Sequence, residues 1–97
     1  MENKENLVSE VVGGERYQYY PLGQHIVRAI GVCGERPTFK YTRIEITGVL
    51  ERLAAGESVE AIVAGYRGRV SAEAIREAVQ VLTTHFLASL PALEPAA

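Results

Sequence analysis

Two short amphipathic segments separated by a single sharp corner, Thr47 to Tyr66, constrain this chain more than any other stretch. Val49, Leu50, Leu53 and Ala54 make one apolar stripe at helical spacing. Val59, Ile62, Val63 and Tyr66 make a second, at i, i+3, i+4, i+7. Thr47 is placed to cap the first helix, because its hydroxyl can accept from an amide of the first turn that has no intrahelical partner. Gly56 stands where that helix must stop and a residue with positive φ is wanted. Ser58 caps the second helix. Helix, tight glycine turn, helix is the geometry of a helix-turn-helix. A third helix, capped by Ser71, completes a compact three-helix cluster.

The rest of the chain bounds what this cluster belongs to. Its 97 residues make one domain. An apolar fraction of 47% with 23% charged residues is that of a globular protein. No run approaches the roughly 18 apolar residues of a membrane span, and the polar start Met1-Glu2-Asn3-Lys4 lacks the apolar core of a signal peptide. One cysteine, Cys33, excludes an intrachain disulfide framework and a cysteine-rich zinc site, so a cytoplasmic location is expected. The formal charge of −2 is not the basic excess of a protein devoted to nucleic acid.

Residues 1–14 are polar, contain Gly13-Gly14 and read as a flexible N-terminal segment. The domain proper is expected over 15–90, with a tail at 91–97. Tyr17-Gln18-Tyr19-Tyr20 is strand-like and is stopped by Pro21-Leu22-Gly23. His25 to Ile30 reads as a second extended piece, and Thr38 to Tyr41 as a third. In Arg43-Ile44-Glu45-Ile46 strict alternation puts the isoleucines on one face. The predicted fold class is therefore α+β: a small antiparallel strand patch followed by a three-helix, homeodomain-like cluster. The longest helix is expected from Ala72 to Leu90, ended by Pro91, with Ile75, Ala78, Val79, Leu82, Phe86 and Leu90 closing the core. Val81, Leu87 and Ala88 fall outside that stripe. A monomer of this size cannot cover two faces of one helix, so a homodimer is expected through Val81, Leu87 and Leu90, with Leu93 beyond them. The shared frame Ser-x-Glu-Ala-Ile at Ser58 and Ser71 is read as two capped helix starts rather than a duplication.

The run Gly34-Glu35-Arg36-Pro37-Thr38 is followed by Thr42-Arg43-Ile44 and by a helix ending Ala54-Ala55-Gly56. Two more helices open Ser58-Val59-Glu60-Ala61-Ile62 and Ser71-Ala72-Glu73-Ala74-Ile75. Over about Val32 to Leu82 this order resembles the domain of unknown function 433 (DUF433) family. The resemblance implies a homeodomain-like or winged three-helix fold. Its members resemble antitoxins, often encoded beside a nuclease-like toxin with a PIN-type domain. One departure is plain: the glycine usual before Thr-Arg-Ile is Tyr41 here, so whatever backbone conformation that glycine permits is in question.

No catalytic constellation is legible. The chain has no aspartate, its glutamates are scattered singly, and His25 and His85 stand far apart without a Cys or Asp at ligand spacing. Cys33 has no evident partner base and reads as a small packed side chain. Neither an enzyme nor a cofactor is expected. The basic residues are more informative. Arg36, Lys40 and Arg43 lie in the strand region, Arg67 and Arg69 flank Gly68 before the third helix, and Arg76 lies on it. Together they are the candidate contacts to phosphates or to a protein partner. The outward positions Glu73, Arg76, Glu77, Gln80, Thr83 and Thr84 make a poor reading head, with two carboxylates against one arginine. Arg43 has a structural alternative, clamping the helix end near Ala55. The expected function is an antitoxin-like protein that neutralises a PIN-type nuclease by direct contact, with operator binding as an added role. The alternatives are a stand-alone DNA-binding regulator and a structural dimerisation module.

Overall fold

The computed structural model describes residues 6–91. Four strands and three helices follow one another: β1 Val8–Val12, β2 Glu15–Pro21, β3 Ile26–Ala29, β4 Thr38–Phe39, α1 Ile46–Ala54, α2 Val59–Gly65 and α3 Ala72–Ser89. The strands form one antiparallel sheet in the order β1-β2-β3-β4, so each pairs with its chain neighbour. The α+β class expected from the sequence is the class observed.

The hairpin at the start corrects the reading of residues 1–14 as loose chain where the structure describes it, from residue 6 on; residues 1–5 lie outside the described residues. Val8–Val12 pairs in full register with β2, from Val8 opposite Tyr19 to Val12 opposite Glu15. Gly13 and Gly14 form the two-residue turn, with φ of 59° and 84°. Two consecutive positive φ values are what a tight turn needs to match the right-handed twist of its strands. The tail assigned to 91–97 lies, apart from Pro91, outside the described residues, as does Leu93.

β3 divides the protein into two packed regions, because successive side chains leave a strand on opposite faces. Ile26 joins Phe39, Ile46, Val49, Ile62, Val70, Ala74, Ile75 and Ala78 in the main core, between sheet and helices. Val27 and Ala29 face the other way and pack with Tyr19, edged by Val8, Tyr17 and Val32. Ser58 and Ser71 cap α2 and α3, their hydroxyls accepting from Ala61 N and Ala74 N at 3.0 Å each. Gly56 has φ 98°, as the corner requires. Thr47 is not the cap of α1. The helix opens two residues earlier than that cap implies, at Ile46, after Glu45, which makes no capping hydrogen bond. The expected strand Arg43–Ile46 is reduced to one bridge between Glu45 and Thr38, because Ile46 is taken by the helix and buried in the core.

The second half of α3 differs most from expectation. Ile75 and Ala78 are buried, but Val79, Leu82 and Phe86, expected to close the core, are exposed, Phe86 by 62%. The helix outruns the elements it packs on. α1 and α2 have 9 and 7 residues against 18 in α3, so among the described residues the last turns of α3 find nothing to cover them.

Candidate functional site

Glu77 fastens α3 to the sheet. Its carboxylate accepts from the backbone amides of Gln24 and His25, both at 2.7 Å, and sits 3.1 Å from Nδ1 of His25. Burial would raise its pKa, but the two amides and the imidazole outweigh that and hold it below the usual carboxylate range. Spacing along the helix assigns Glu77 to the outward face. Only the fold reveals that the β2–β3 turn arrives there.

A second cluster joins the hairpin to the turn after β4. Glu10 accepts from the hydroxyls of Tyr19 at 2.5 Å and Tyr41 at 2.8 Å. The Tyr17 ring lies 5.1 Å from that of Tyr19 and 5.4 Å from that of Tyr41. The two hydroxyls depress the pKa of Glu10. Tyr41 has φ 69°, the left-handed region that glycine enters freely and a Cβ resists. This position therefore does want a glycine. What holds tyrosine there is its surroundings: the Tyr17 hydroxyl accepts from its backbone amide at 2.9 Å, and Glu10 takes its hydroxyl.

Between this cluster and the start of α3 lies a hollow of about 290 Å³. Lys40 and Arg69 line it, with His25, Tyr41 and Ser71. Lys40 is steadied by two rings, its Nζ 5.1 Å from the Tyr19 centroid and 5.2 Å from that of Tyr41. The other predicted contact residues are dispersed. Arg36 is engaged by Glu45 through two parallel hydrogen bonds of 2.9 and 3.0 Å. Arg43 lines a separate hollow with Glu45, Glu51 and Tyr66. Near the end of α1, Arg52 pairs with Glu57 at 2.8 Å and lies 5.1 Å over the Tyr66 ring. Arg76 lines a third hollow, adjoining the first through Gln24 and His25, in the company of Glu73 and Glu77. Arg67 is exposed in the turn before α3, with φ 56°. Among the described residues, Arg67 and Arg69 have no carboxylate within salt-bridge distance.

The second candidate surface is the free end of α3. Positions three, seven and eleven residues apart share a helix face, so Val79, Leu82, Phe86 and Leu90 continue the stripe that Ile75 and Ala78 bury. Of the predicted dimer residues, Leu90 lies on this face and is exposed. Val81, half-buried, and Leu87, exposed, point about 120° apart around the axis and do not form one patch. From Ala78 to Leu90 there is no Asp, Glu, Lys or Arg.

Sheet and helix cluster together define a small α+β domain. The profile of the family described as "Protein of unknown function (DUF433)" matches residues 26–80, more than half of the chain. The chain belongs to the DUF433 family. All nine buried residues of the main core lie inside the matched stretch, whereas the β1–β2 hairpin and the last turns of α3 lie outside it. No curated protein and no solved structure matches the chain. Among the described residues no helix is long and apolar enough to cross a membrane, and no three His, Cys or Glu side chains are grouped to hold a metal ion.

Proposed function

We propose that this chain is an antitoxin-like binding protein, which seats a PIN-type nuclease on the free end of α3 and silences it by direct contact. The observation that carries this reading is the exposed stripe Val79, Leu82, Phe86 and Leu90 within a stretch devoid of formal charge. A solvated helix end normally carries Lys and Glu, whereas loss of charge with gain of aromatic and aliphatic side chains is the composition of an interface core. The test is co-expression with the product of the adjacent reading frame. Wild-type protein is expected to co-purify with that nuclease and suppress its activity. A Leu82→Glu, Phe86→Glu variant is expected to fold and lose both properties.

A second reading is the dimerisation module, favoured by the continuity of the stripe with the core, since homodimer interfaces are the most apolar class. In that case a second copy covers Leu90 and its neighbours, and the isolated protein sediments at twice its 10.6 kDa. Operator binding, as an added role or as that of a stand-alone regulator, rests on Arg67 and Arg69 before α3, which no carboxylate of the described residues pairs. Arg67→Ala with Arg69→Ala is then expected to weaken duplex binding across all sequences and to flatten its salt dependence.

A further inference from the structure

We propose that the hollow between Lys40 and Arg69 is a binding site for a phosphate group. It is separate from the free end of α3 and does not depend on what that end binds. Of the residues that line it, two are cations and none is a carboxylate, in a chain whose net charge is −2. A local positive pair maintained against an acidic background is what an anion site requires.

Each cation is held in place. The rings of Tyr19 and Tyr41 hold Lys40, and the nearby Glu10 carboxylate accepts both tyrosine hydroxyls while the Lys40 charge acts on it from a distance. Arg69 sits in a turn fixed on both sides. Gly68 N donates to Val63 O and Arg69 N to Tyr66 O, both at 3.0 Å, and the next residue, Val70, is buried in the core. An arginine carried on an anchored turn keeps its planar fork of donors for a ligand.

The floor adds a further donor. Ser71 Oγ accepts from Ala74 N, which leaves the serine proton to donate elsewhere. Ser71 and Ala74 both line the hollow, so the first turn of α3 adjoins it. They stand at the positive end of an 18-residue helix.

Size and neighbours narrow the ligand. A volume of about 290 Å³ falls at the bottom of the range for organic ligands and suits a single phosphate with its ester oxygen. On the Arg76 side, Glu73 and Glu77 line the adjoining hollow and disfavour a second phosphate there. The shared chemistry is one phosphate, either free or part of a nucleic-acid backbone.

The test is an amide-shift titration of the full chain by ¹⁵N NMR. The probes are inorganic phosphate and a short duplex DNA, applied to wild type, Lys40→Met, Arg69→Gln and the control Arg43→Gln. Phosphate is expected to shift the amides of Tyr41, Arg69, Ala72 and Glu73 at millimolar concentration. Lys40→Met and Arg69→Gln should each weaken this about tenfold, the loss of one charge-assisted contact, and Arg43→Gln should not. Duplex that moves the same amides more tightly than phosphate identifies the backbone as the source. Phosphate that saturates the site without competition from duplex identifies a free ligand. Unmoved amides with both probes, or equal weakening by Arg43→Gln, overturn the assignment.

Discussion

Removing the carboxylate of Glu77 tests how the sheet and the helices are joined. Glu77→Ala deletes the acceptor of two backbone amides and one imidazole nitrogen, at 2.7, 2.7 and 3.1 Å. A hydrogen bond to a charged group is worth about 1.5–3 kcal/mol, and the side chain is 21% exposed, so the lower end applies. Gln24 is exposed and recovers water as a partner, whereas half-buried His25 does not. The net cost is therefore about 2–3 kcal/mol, which in a domain of this size lowers the melting temperature by roughly 10–20 °C. Thermal and urea unfolding measure it, with exposed Glu73→Ala as a control that stays within about 0.5 kcal/mol. The same seam predicts a pH dependence. The folded pKa lies below the unfolded one, so the unfolded chain binds the proton more readily. The stabilisation is complete above the ordinary Glu range near about 4.3, and it is lost as pH falls through the lower folded value. Glu77→Gln should remove that acid-limb component. A loss below about 0.5 kcal/mol in Glu77→Ala, or an unchanged acid limb in Glu77→Gln, would refute the reasoning.

Three substitutions probe other parts of the fold. Gly56 has φ 98° and only open space within 4 Å of where a Cβ would stand, so Gly56→Val costs about 1 kcal/mol or more through backbone strain alone; an unchanged melting temperature would dismiss the glycine corner. At Tyr41, with φ 69°, the Gly variant should be about 1 kcal/mol more stable than the Ala variant, since both lose the ring and only Ala keeps the strain; equal midpoints in urea would contradict this. Thr38 is fully buried and its Oγ1 has no partner among the described residues, so Thr38→Val is expected to be neutral or stabilising by up to about 1 kcal/mol, and clear destabilisation in urea would mean the hydroxyl is engaged.

The helices were legible because their signals are local. Ser58 and Ser71 cap where a serine before an apolar stripe predicts, and Gly56 turns where the stripe breaks. The β1–β2 hairpin carried its signal too, a glycine pair between two runs of apolar and polar residues, but Val11 and Val12 both face solvent and blur the alternation. Arg43–Ile46 has a strand's period over too few residues to compete with burial of Ile46 at the start of α1. Periodicity named the stripe of α3 without saying where its cover ends. That depends on the relative lengths of helices packed in three dimensions. Among the basic residues, Lys40 and Arg69 share a hollow because the turns after β4 and before α3 meet at a distance in sequence that no motif encodes. Glu77 and Tyr41 escaped for the same reason: their partners, His25, Tyr17 and Glu10, come from other elements.

The central proposal is that the free end of α3 is a protein-binding face, and calorimetric titration of the proposed PIN-type nuclease partner into this protein tests it most directly. Wild type is predicted to bind, and Leu82→Glu, Phe86→Glu to bind at least about 100-fold more weakly, as expected when the central apolar anchors of an interface become charged. Arg67→Ala, Arg69→Ala should match wild type. A nuclease that fails to bind wild type, or that binds the charged α3 variant equally well, would contradict the claim.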